Sequence, residues 1–250
     1  MPIYEPDHIE YSITDGMIGI TLDDGTRLPA YWAHPTLGNR FPGAVLVHDW
    51  WGLTDIVRRM AALFAQMGHY VIAPDLFGGE QPKDNAQAMA LIEQTRDSNY
   101  QQVSDALDVL RNHHQCNKSM AVIGIGMGGS LAFEAAIKRE DLQAAVAYAG
   151  FPHRFIGKFA QANTPICAFY GENEPHIKSR VIQQMRQQML ESAERIPHEI
   201  HIIPRIAHDF FSTELSPEAR QVSRGVLKST FDFLDNHLKP PKRAGDRKRY

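Results

Sequence analysis

The chain has 250 residues, of which 43% are hydrophobic and 22% are charged, and its formal net charge is −3. This composition is ordinary for a soluble globular protein, and the length suits one α/β domain. No apolar run approaches the ~20 residues that a membrane span needs, so a membrane partner is not expected.

The C-terminal segment is strongly basic. Residues 239–250 carry six Lys or Arg and one Asp, a local charge of +5 that leaves −8 for the rest of the chain. A basic segment can contact nucleic acid, anionic lipid or an acidic partner, but a solvated terminus is the commoner case. An acidic body also argues against nucleic-acid binding. We predict one domain over residues 1–238 and a basic tail over 239–250.

The two cysteines, Cys116 and Cys167, provide no disulfide framework and sit in sequence like small core residues. This usage fits a reducing compartment. Residues 1–7 contain neither a basic nor an apolar segment of the kind that forms a signal peptide. The sequence therefore predicts a cytoplasmic location.

Apolar and polar residues alternate over the first 34 positions, which predicts an antiparallel start to a sheet. Asp-Gly pairs at 15–16 and 24–25 predict tight turns there. The pattern then changes to a continuous apolar run at 43–47, typical of a strand that is buried on both faces.

Beyond this run, predicted helices and strands alternate. Gly68 fits a left-handed end to the first helix. The predicted strands cover residues 70–73, 120–123, 143–148, 165–170 and 199–203, and the predicted helices cover 54–67, 86–96, 99–114, 127–138, 176–193 and 217–237. Alternation of this kind predicts an α/β fold with a mostly parallel sheet and helices on both faces.

The glycine-rich turn at 124–129 has two interpretations. Gly124, Gly126 and Gly129 match GxGxxG, which would place a dinucleotide pyrophosphate on a helix N-terminus, with Glu140 or Asp141 at the ribose. This fingerprint normally opens its fold, whereas here it follows two earlier strand-helix units. The dinucleotide interpretation is therefore the minor one.

The second interpretation is a nucleophile elbow, in which Gly124 and Gly128 flank the nucleophile position at Gly126. An acid and a histidine should then follow later strands, and Glu174 and His208 do so in the required order. An oxyanion-hole loop should follow an early strand, as residues 48–52 do. This order of nucleophile, acid and histidine is that of the α/β-hydrolase fold.

With these motifs the sequence resembles the dienelactone hydrolase (carboxymethylenebutenolidase) family from about Gly16 to Leu238. The resemblance implies an ester or lactone hydrolase with an α/β-hydrolase fold. It places the acid at Glu174 and the histidine at His208, within the segment His208-Asp209-Phe210. It places the oxyanion-hole N–H groups at Trp50 and Met127. Asp49 falls where the family carries a glutamate, and Trp51 follows it in the aromatic turn.

The sequence departs from the family at the position that matters most. The family's elbow carries cysteine where this chain has Gly126, so covalent catalysis has no attacking atom. Neither cysteine replaces it, because Cys116 precedes its predicted strand and Cys167 lies inside another. Ser130 lies within a predicted helix, where a side chain is not presented at the elbow. The arginines that hold the substrate carboxylate in the founding members correspond to Gly79 and Ser212, which disfavours a dienelactone substrate.

Other polar residues have simpler interpretations. Glu172 is a rival to Glu174 as the acid, and Asp75 is interpreted as a structural turn residue. His113-His114 and the pair His198 and His201 have no third ligand at metal spacing, and positions 198 and 201 face opposite sides of a strand. No metal and no cofactor are predicted.

Two functions remain open from the sequence. One is water-mediated hydrolysis of an ester or lactone, with His208 oriented by Glu174. The other is a catalytically silent pseudoenzyme that binds a small ligand, a protein partner or a second copy of the chain.

Overall fold

The computed structural model describes residues 11–22, 25–38, 40–192, 194–211 and 216–240. Its strands are β1 Ile13–Thr21, β2 Arg27–Pro35, β3 Phe41–Val47, β4 Tyr70–Pro74, β5 Cys116–Ile125, β6 Ala144–Tyr148, β7 Ile166–Gly171 and β8 Glu199–Ile203. Its helices are α1 Asp55–Gln66, α2 Asn85–Thr95, α3 Asn99–Asn112, α4 Met127–Lys138, α5 Ser179–Glu191 and α6 Pro217–His237, with 3₁₀ turns at His153–Phe155 and Phe159–Gln161.

The strands form one eight-stranded sheet in the order β1-β2-β4-β3-β5-β6-β7-β8. Strands β3 to β8 pair in parallel, and β1 and β2 join antiparallel at one edge. Every residue of β3, β4, β6 and β7 is buried, as expected for parallel strands covered by helices on both faces. The predicted α/β fold with an antiparallel start is confirmed.

The helices divide between the two faces of this sheet. Helices α2, α3, α4 and α5 contribute their apolar side chains to one core cluster, whereas α1 and α6 contribute to the other. Leu110 and Phe133 are fully buried in the first cluster, and Phe64 and Leu234 in the second. The sheet is therefore a layer between two hydrophobic cores. Because both faces are covered by helices, a binding site is expected at the strand ends.

Three local predictions from the sequence were wrong. Asp15-Gly16 forms no turn, because both residues lie inside β1 and pair with Ala33 and Trp32 across a nine-residue register. That ladder outweighs the local turn preference of Asp-Gly, and beyond the end of β1 the Leu22 N–H donates to the Thr26 carbonyl oxygen at 2.8 Å. Cys116 begins β5 rather than preceding it.

The third error concerns the start of α5, which was placed at residue 176 but lies at Ser179. Lys178 is extended, and the backbone N–H of His176 donates to the Glu174 carboxylate, so the preceding loop is committed to other contacts. At the other chain end, Lys239 and Pro240 hydrogen-bond to Ser119 and Asn117. Residues 241–250 of the predicted basic tail, like the Ser212 position, lie outside the described residues. Among the helices that the structure describes, none combines the length and apolarity needed to cross a membrane.

Two glycines differ in the space available to a side chain, which gives a stability prediction. A Cβ on Gly171, at the end of β7, would lie 1.8 Å from the carbonyl oxygen of Ala207, whereas a Cβ on Gly225 in α6 would meet no atom within 4 Å. We expect Gly171→Ala to lower the free energy of unfolding by at least about 2 kcal/mol, since a backbone segment must move. Gly225→Ala should raise it by up to ~1 kcal/mol.

Equilibrium urea unfolding of both variants checks this expectation. Equal stability of the two would contradict the close packing of β7 against the loop that carries His208.

Candidate active site

The order of the strands determines where a site can form. From β3 the chain passes to β4 on one side and then crosses to β5 on the other. The loops that follow β3 and β5 therefore diverge and leave a crevice at the carboxyl ends of these strands, where open α/β sheets bind ligands. Asp49 and Trp50 follow β3, and Gly126 follows β5, so the sheet brings these residues to one crevice.

Gly126 has the backbone of a nucleophile elbow. Its φ of 52° and ψ of −112° lie in a region that side-chain-bearing residues rarely adopt. The flanking glycines are required by close contacts, because a Cβ on Gly124 would lie 2.0 Å from the Gly128 carbonyl oxygen, and one on Gly128 would lie 2.3 Å from that of Val47. The strand-turn-helix geometry predicted for residues 124–128 is therefore present.

The position that a side chain on residue 126 would occupy faces two polar residues. A Cβ built there lies 3.5 Å from Cβ of Asp49 and 3.8 Å from Nε2 of His208. Both distances are ordinary van der Waals contacts, so the space between the two residues accepts a small group.

Glu174 orients His208. The Glu174 Oε2 to His208 Nδ1 distance is 2.8 Å, and the Glu174 side chain is only 3% exposed. Burial raises the pKa of Glu174, but the hydrogen bonds from His208 and from the His176 N–H outweigh it and hold the pKa below its usual value. An ionised Glu174 accepts a hydrogen from Nδ1, which leaves Nε2 of His208 as an acceptor facing Gly126.

Glu172, the rival acid, lies elsewhere. Its carboxylate accepts from the backbone N–H of Arg205 at 3.4 Å and is exposed. The structure therefore brings Glu174, and not Glu172, against His208.

His48 fixes the loop after β3. Its ring is fully buried, with Nδ1 2.6 Å from the Asp49 carbonyl oxygen and Nε2 3.0 Å from the backbone N of Leu76. Burial lowers the pKa of His48, and a neutral ring with its proton on Nδ1 satisfies both contacts. His48 thereby links the loops after β3 and β4.

The predicted oxyanion-hole donors flank the elbow. Trp50 lies in the loop that His48 fixes, and Met127 is the first residue of α4. Within the described part of the chain, neither backbone N–H has a hydrogen-bond acceptor, and both residues line the same cavity. Two free N–H groups, one at a helix N-terminus, suit a developing negative charge.

A cavity of about 720 Å³ opens over these residues. Its wall includes the T-shaped pair of Trp50 and Trp51, with ring centroids 5.3 Å apart, and Phe151, whose ring lies 5.6 Å from that of His208. The volume and the aromatic lining are typical of a small-molecule site.

Asp49 lies at the centre of this site with an altered acidity. Burial raises its pKa to about 6, and the nearby Asp209 adds to this effect, while the hydrogen bond from the Trp51 N–H opposes it. The Trp51 N to Asp49 Oδ1 distance is 2.8 Å. Perturbed carboxylates in clefts are common in active sites.

The remaining candidates lie apart from this centre or are engaged elsewhere. The Ser130 hydroxyl lines the cavity but accepts the Phe151 N–H at 2.9 Å. Both cysteines are buried within strands. Asp75 serves its turn, accepting the Phe77 N–H.

The acids considered for a ribose lie beyond the C-terminal end of α4. Asp141 is 2.7 Å from Arg139 there, and a helix of 12 residues places this pair about 18 Å from the glycine turn.

Sequence reasoning missed Phe151 and His176, and it included His48 only as part of the 48–52 loop, without a role for its ring. The His176 ring lies 4.9 Å from that of His208. The position of His48 directly after a buried strand, and of His176 two residues after Glu174, were signals that could have found them. Phe151 follows β6 with no comparable signal.

The comparison with known families decides the classification. The sequence model of the dienelactone hydrolase family matches residues 28–238, which is most of the chain. The chain belongs to the dienelactone hydrolase family. Among its relatives, a protein provisionally named carboxymethylenebutenolidase from Salmonella typhimurium is 28% identical over 220 residues, 78% of this chain and 79% of that protein. A similarly named protein from Azospirillum brasilense is 24% identical over 244 residues, 88% of this chain and 98% of that one.

Solved structures agree with the dienelactone hydrolase fold. A provisionally identified dienelactone hydrolase from Klebsiella pneumoniae superposes with a TM-score of 0.74 at 22% identity, covering 88% of this chain and 99% of that one. A dienelactone hydrolase-like promiscuous phosphotriesterase from metagenomic libraries superposes with a TM-score of 0.76 at 19% identity, covering 89% of this chain and 98% of that one.

The raised pKa of Asp49 predicts a pH-dependent stability. The folded protein binds a proton on Asp49 more tightly than the unfolded chain does. The free energy of unfolding should therefore decrease as the pH rises from about 4 towards 6. Asp49→Asn keeps the acceptor for Trp51 and removes the charge. We expect the gain in stability of the variant over the parent protein to be about 2 kcal/mol larger at pH 8 than at pH 4.

Urea unfolding at the two pH values measures this difference. Asp232→Asn, at an exposed carboxylate of α6, is the control and should change by less than about 0.5 kcal/mol. If the stability difference between Asp49→Asn and the parent protein is the same at both pH values, burial does not raise the pKa of Asp49.

Proposed function

We propose that this protein hydrolyses carboxylic esters or lactones by direct attack of water, without an acyl-enzyme intermediate. The observation that carries the proposal is the Glu174–His208 pair, whose free Nε2 is directed at the position where a side chain on residue 126 would stand. A general base needs this geometry before its acidity matters.

The space beside Gly126 suits a water molecule. A water oxygen about 1 Å closer to His208 than the Cβ position would be at hydrogen-bond distance from Nε2. The nearest atom of Asp49 to that Cβ position is its methylene carbon, at 3.5 Å. His208 would thus accept one hydrogen of the water and leave a lone pair of its oxygen for attack.

The reaction would proceed in two proton transfers. The water oxygen attacks the carbonyl carbon while Nε2 of His208 takes a proton, and the carbonyl oxygen becomes an oxyanion. The imidazolium is stabilised by Glu174 at 2.8 Å. The carbon–oxygen bond to the leaving group then breaks, and His208 returns the proton to the alkoxide, so the products are an acid and an alcohol.

The N–H groups of Trp50 and Met127 would bind the oxyanion. Removing one such donor costs about 10²–10³-fold in rate in a well-studied protease. In that class of enzyme the oxyanion hole and substrate binding alone leave about 10³–10⁴-fold acceleration after the triad is lost. Loss of the nucleophile is therefore compatible with hydrolysis, at a lower rate than a covalent enzyme achieves.

Turnover of p-nitrophenyl acetate and of an aromatic lactone tests the proposal. We expect slow hydrolysis by the protein and a loss of about 10²-fold or more in kcat/KM for His208→Ala, because the general base is removed. No pre-steady-state burst should occur, since no acyl-enzyme forms. Glu172→Gln, at an exposed carboxylate of the same loop, should leave kcat/KM unchanged.

Gly126→Cys supplies the alternative outcome. Its Cβ fits without a clash, although the backbone conformation costs about 1–3 kcal/mol for a residue with a side chain. A parent protein that is inert, together with an active Gly126→Cys variant that shows a burst, would overturn water-mediated hydrolysis and indicate a silent binding protein.

The charge of Asp49 should make the rate of hydrolysis depend on pH. The ionised Asp49 carboxylate attracts the imidazolium that forms at His208, so kcat/KM should rise with pH through a pKa of about 6. Asp49→Asn should lower the rate above this pH roughly 10-fold, because the variant loses a charge interaction with the imidazolium of about 1.4 kcal/mol. It should also remove this limb of the pH profile. An unchanged profile in the variant would exclude Asp49 from the reaction.

A further inference from the structure

A second cluster of chemically reactive side chains lies on the α6 face of the sheet, away from the cavity. Cys167 is the second residue of β7, and it pairs in register with Glu199 of β8. His201 is two residues further along β8 and therefore projects from the same face as Glu199. One ligand atom from each of these three residues lies within 4.8 Å of the other two.

The cluster is already partly organised. His201 Nε2 is 2.9 Å from Glu199 Oε2, and the His201 ring stacks on Phe169 with centroids 4.9 Å apart. Cys167 is fully buried, whereas the Glu199 and His201 side chains are 44% and 36% exposed. One side of the cluster is thus fixed in the core, and the other can adjust and is open to solvent.

We propose that Cys167, Glu199 and His201 form a binding site for a divalent transition-metal ion, with zinc as the best match. A thiolate, a carboxylate and an imidazole are the ligands that zinc takes in proteins, at about 2.0–2.3 Å, and a solvent molecule would complete a tetrahedron. Ligand atoms around such an ion lie about 3.3–3.8 Å apart. The Glu199 and His201 side chains, which are partly exposed, would rotate on binding to close the remaining distance.

Metal binding at this cluster must displace the proton of the Cys167 thiol. Burial raises the pKa of the Cys167 thiol, and the Glu199 carboxylate adds to this, so the free protein carries the proton on sulfur. Binding forms the metal–sulfur bond and releases this proton to solvent. Each ion bound therefore displaces one proton from the thiol.

This site was not visible in the sequence because its third ligand comes from another strand. His198, the nearest histidine in sequence, accepts the Ile166 N–H at 3.1 Å and does not join the cluster. Cys167 lies four residues before Gly171, about 13 Å from the strand end where His208 and Gly126 lie. The metal site is therefore separate from the candidate active site and independent of the proposed hydrolysis.

Cobalt substitution tests the proposal on the full chain. The reduced, metal-free protein is titrated with Co²⁺, and the near-ultraviolet charge-transfer band of a cobalt–thiolate bond is recorded. This band requires a cysteine ligand, so binding at His208 or at surface carboxylates does not produce it. We expect a saturable band that zinc abolishes by competition.

The chain offers a matched control because it has two buried cysteines. Cys167→Ser should abolish the band, whereas Cys116→Ser should retain it. Glu199→Gln and His201→Asn, at partly exposed positions, should weaken zinc binding at least about 10-fold, the smaller loss seen even for residues that only support a ligand. These two variants keep the test valid if Cys167→Ser does not fold.

Either of two results would overturn the proposal. One is the absence of a charge-transfer band in the parent protein at saturating Co²⁺. The other is a band that survives in Cys167→Ser or disappears in Cys116→Ser. Thermal unfolding provides a second measure, since zinc should raise Tm of the parent protein and of Cys116→Ser but not of His201→Asn.

Discussion

The parallel pairing of β3 with β5 is the constraint on which the site depends. This pairing places Val47 beside Gly124, and the following turn then packs so closely that a Cβ on Gly128 would lie 2.3 Å from the Val47 carbonyl oxygen. The two loops that leave this point carry Asp49 and Trp50 on one side and Gly126 and Met127 on the other. This contact therefore brings the backbone N–H groups of Trp50 and Met127 to the same crevice, whereas the loops after β7 and β8 supply Glu174 and His208.

The hydrogen bonds among the polar groups around this contact leave Nε2 of His208 available as a base. His48 uses both of its ring nitrogens to hold the loops after β3 and β4. Glu174 uses its carboxylate to accept from His208 and from the His176 N–H. Among the described residues, Nε2 of His208 is the polar atom within 4 Å of a Cβ position on Gly126, and it lies beside Asp49, whose pKa burial raises to about 6. Hydrogen-bonded neighbours would allow the partly buried His208 to act as a base, since an unsatisfied network would be costly.

Glycine at position 126 avoids the backbone strain of the elbow but supplies no nucleophile. The elbow conformation, with φ of 52°, costs about 1–3 kcal/mol for most residues but almost nothing for glycine. The chain keeps the elbow, the flanking glycines, the acid and the histidine while giving up the attacking side chain. Within the dienelactone hydrolase family, this combination is the basis of our proposal that a water molecule at His208, and not a covalent nucleophile, attacks the substrate. The proposed metal cluster is a separate feature, on strands β7 and β8.

The sequence alone determined the order of the elements, the α/β class and the residues of the elbow, because apolar periodicity and glycine spacing are local signals. The bounds of α4, β8 and α6 were predicted to the residue. Tertiary structure decided what depends on distant partners. The β1–β2 ladder placed Asp15-Gly16 inside a strand, and packing placed Glu174 rather than Glu172 against His208. Burial set the acidity of Asp49, and strand register brought Cys167 to Glu199 and His201. These outcomes are contacts between residues far apart in the chain, and no local pattern encodes them.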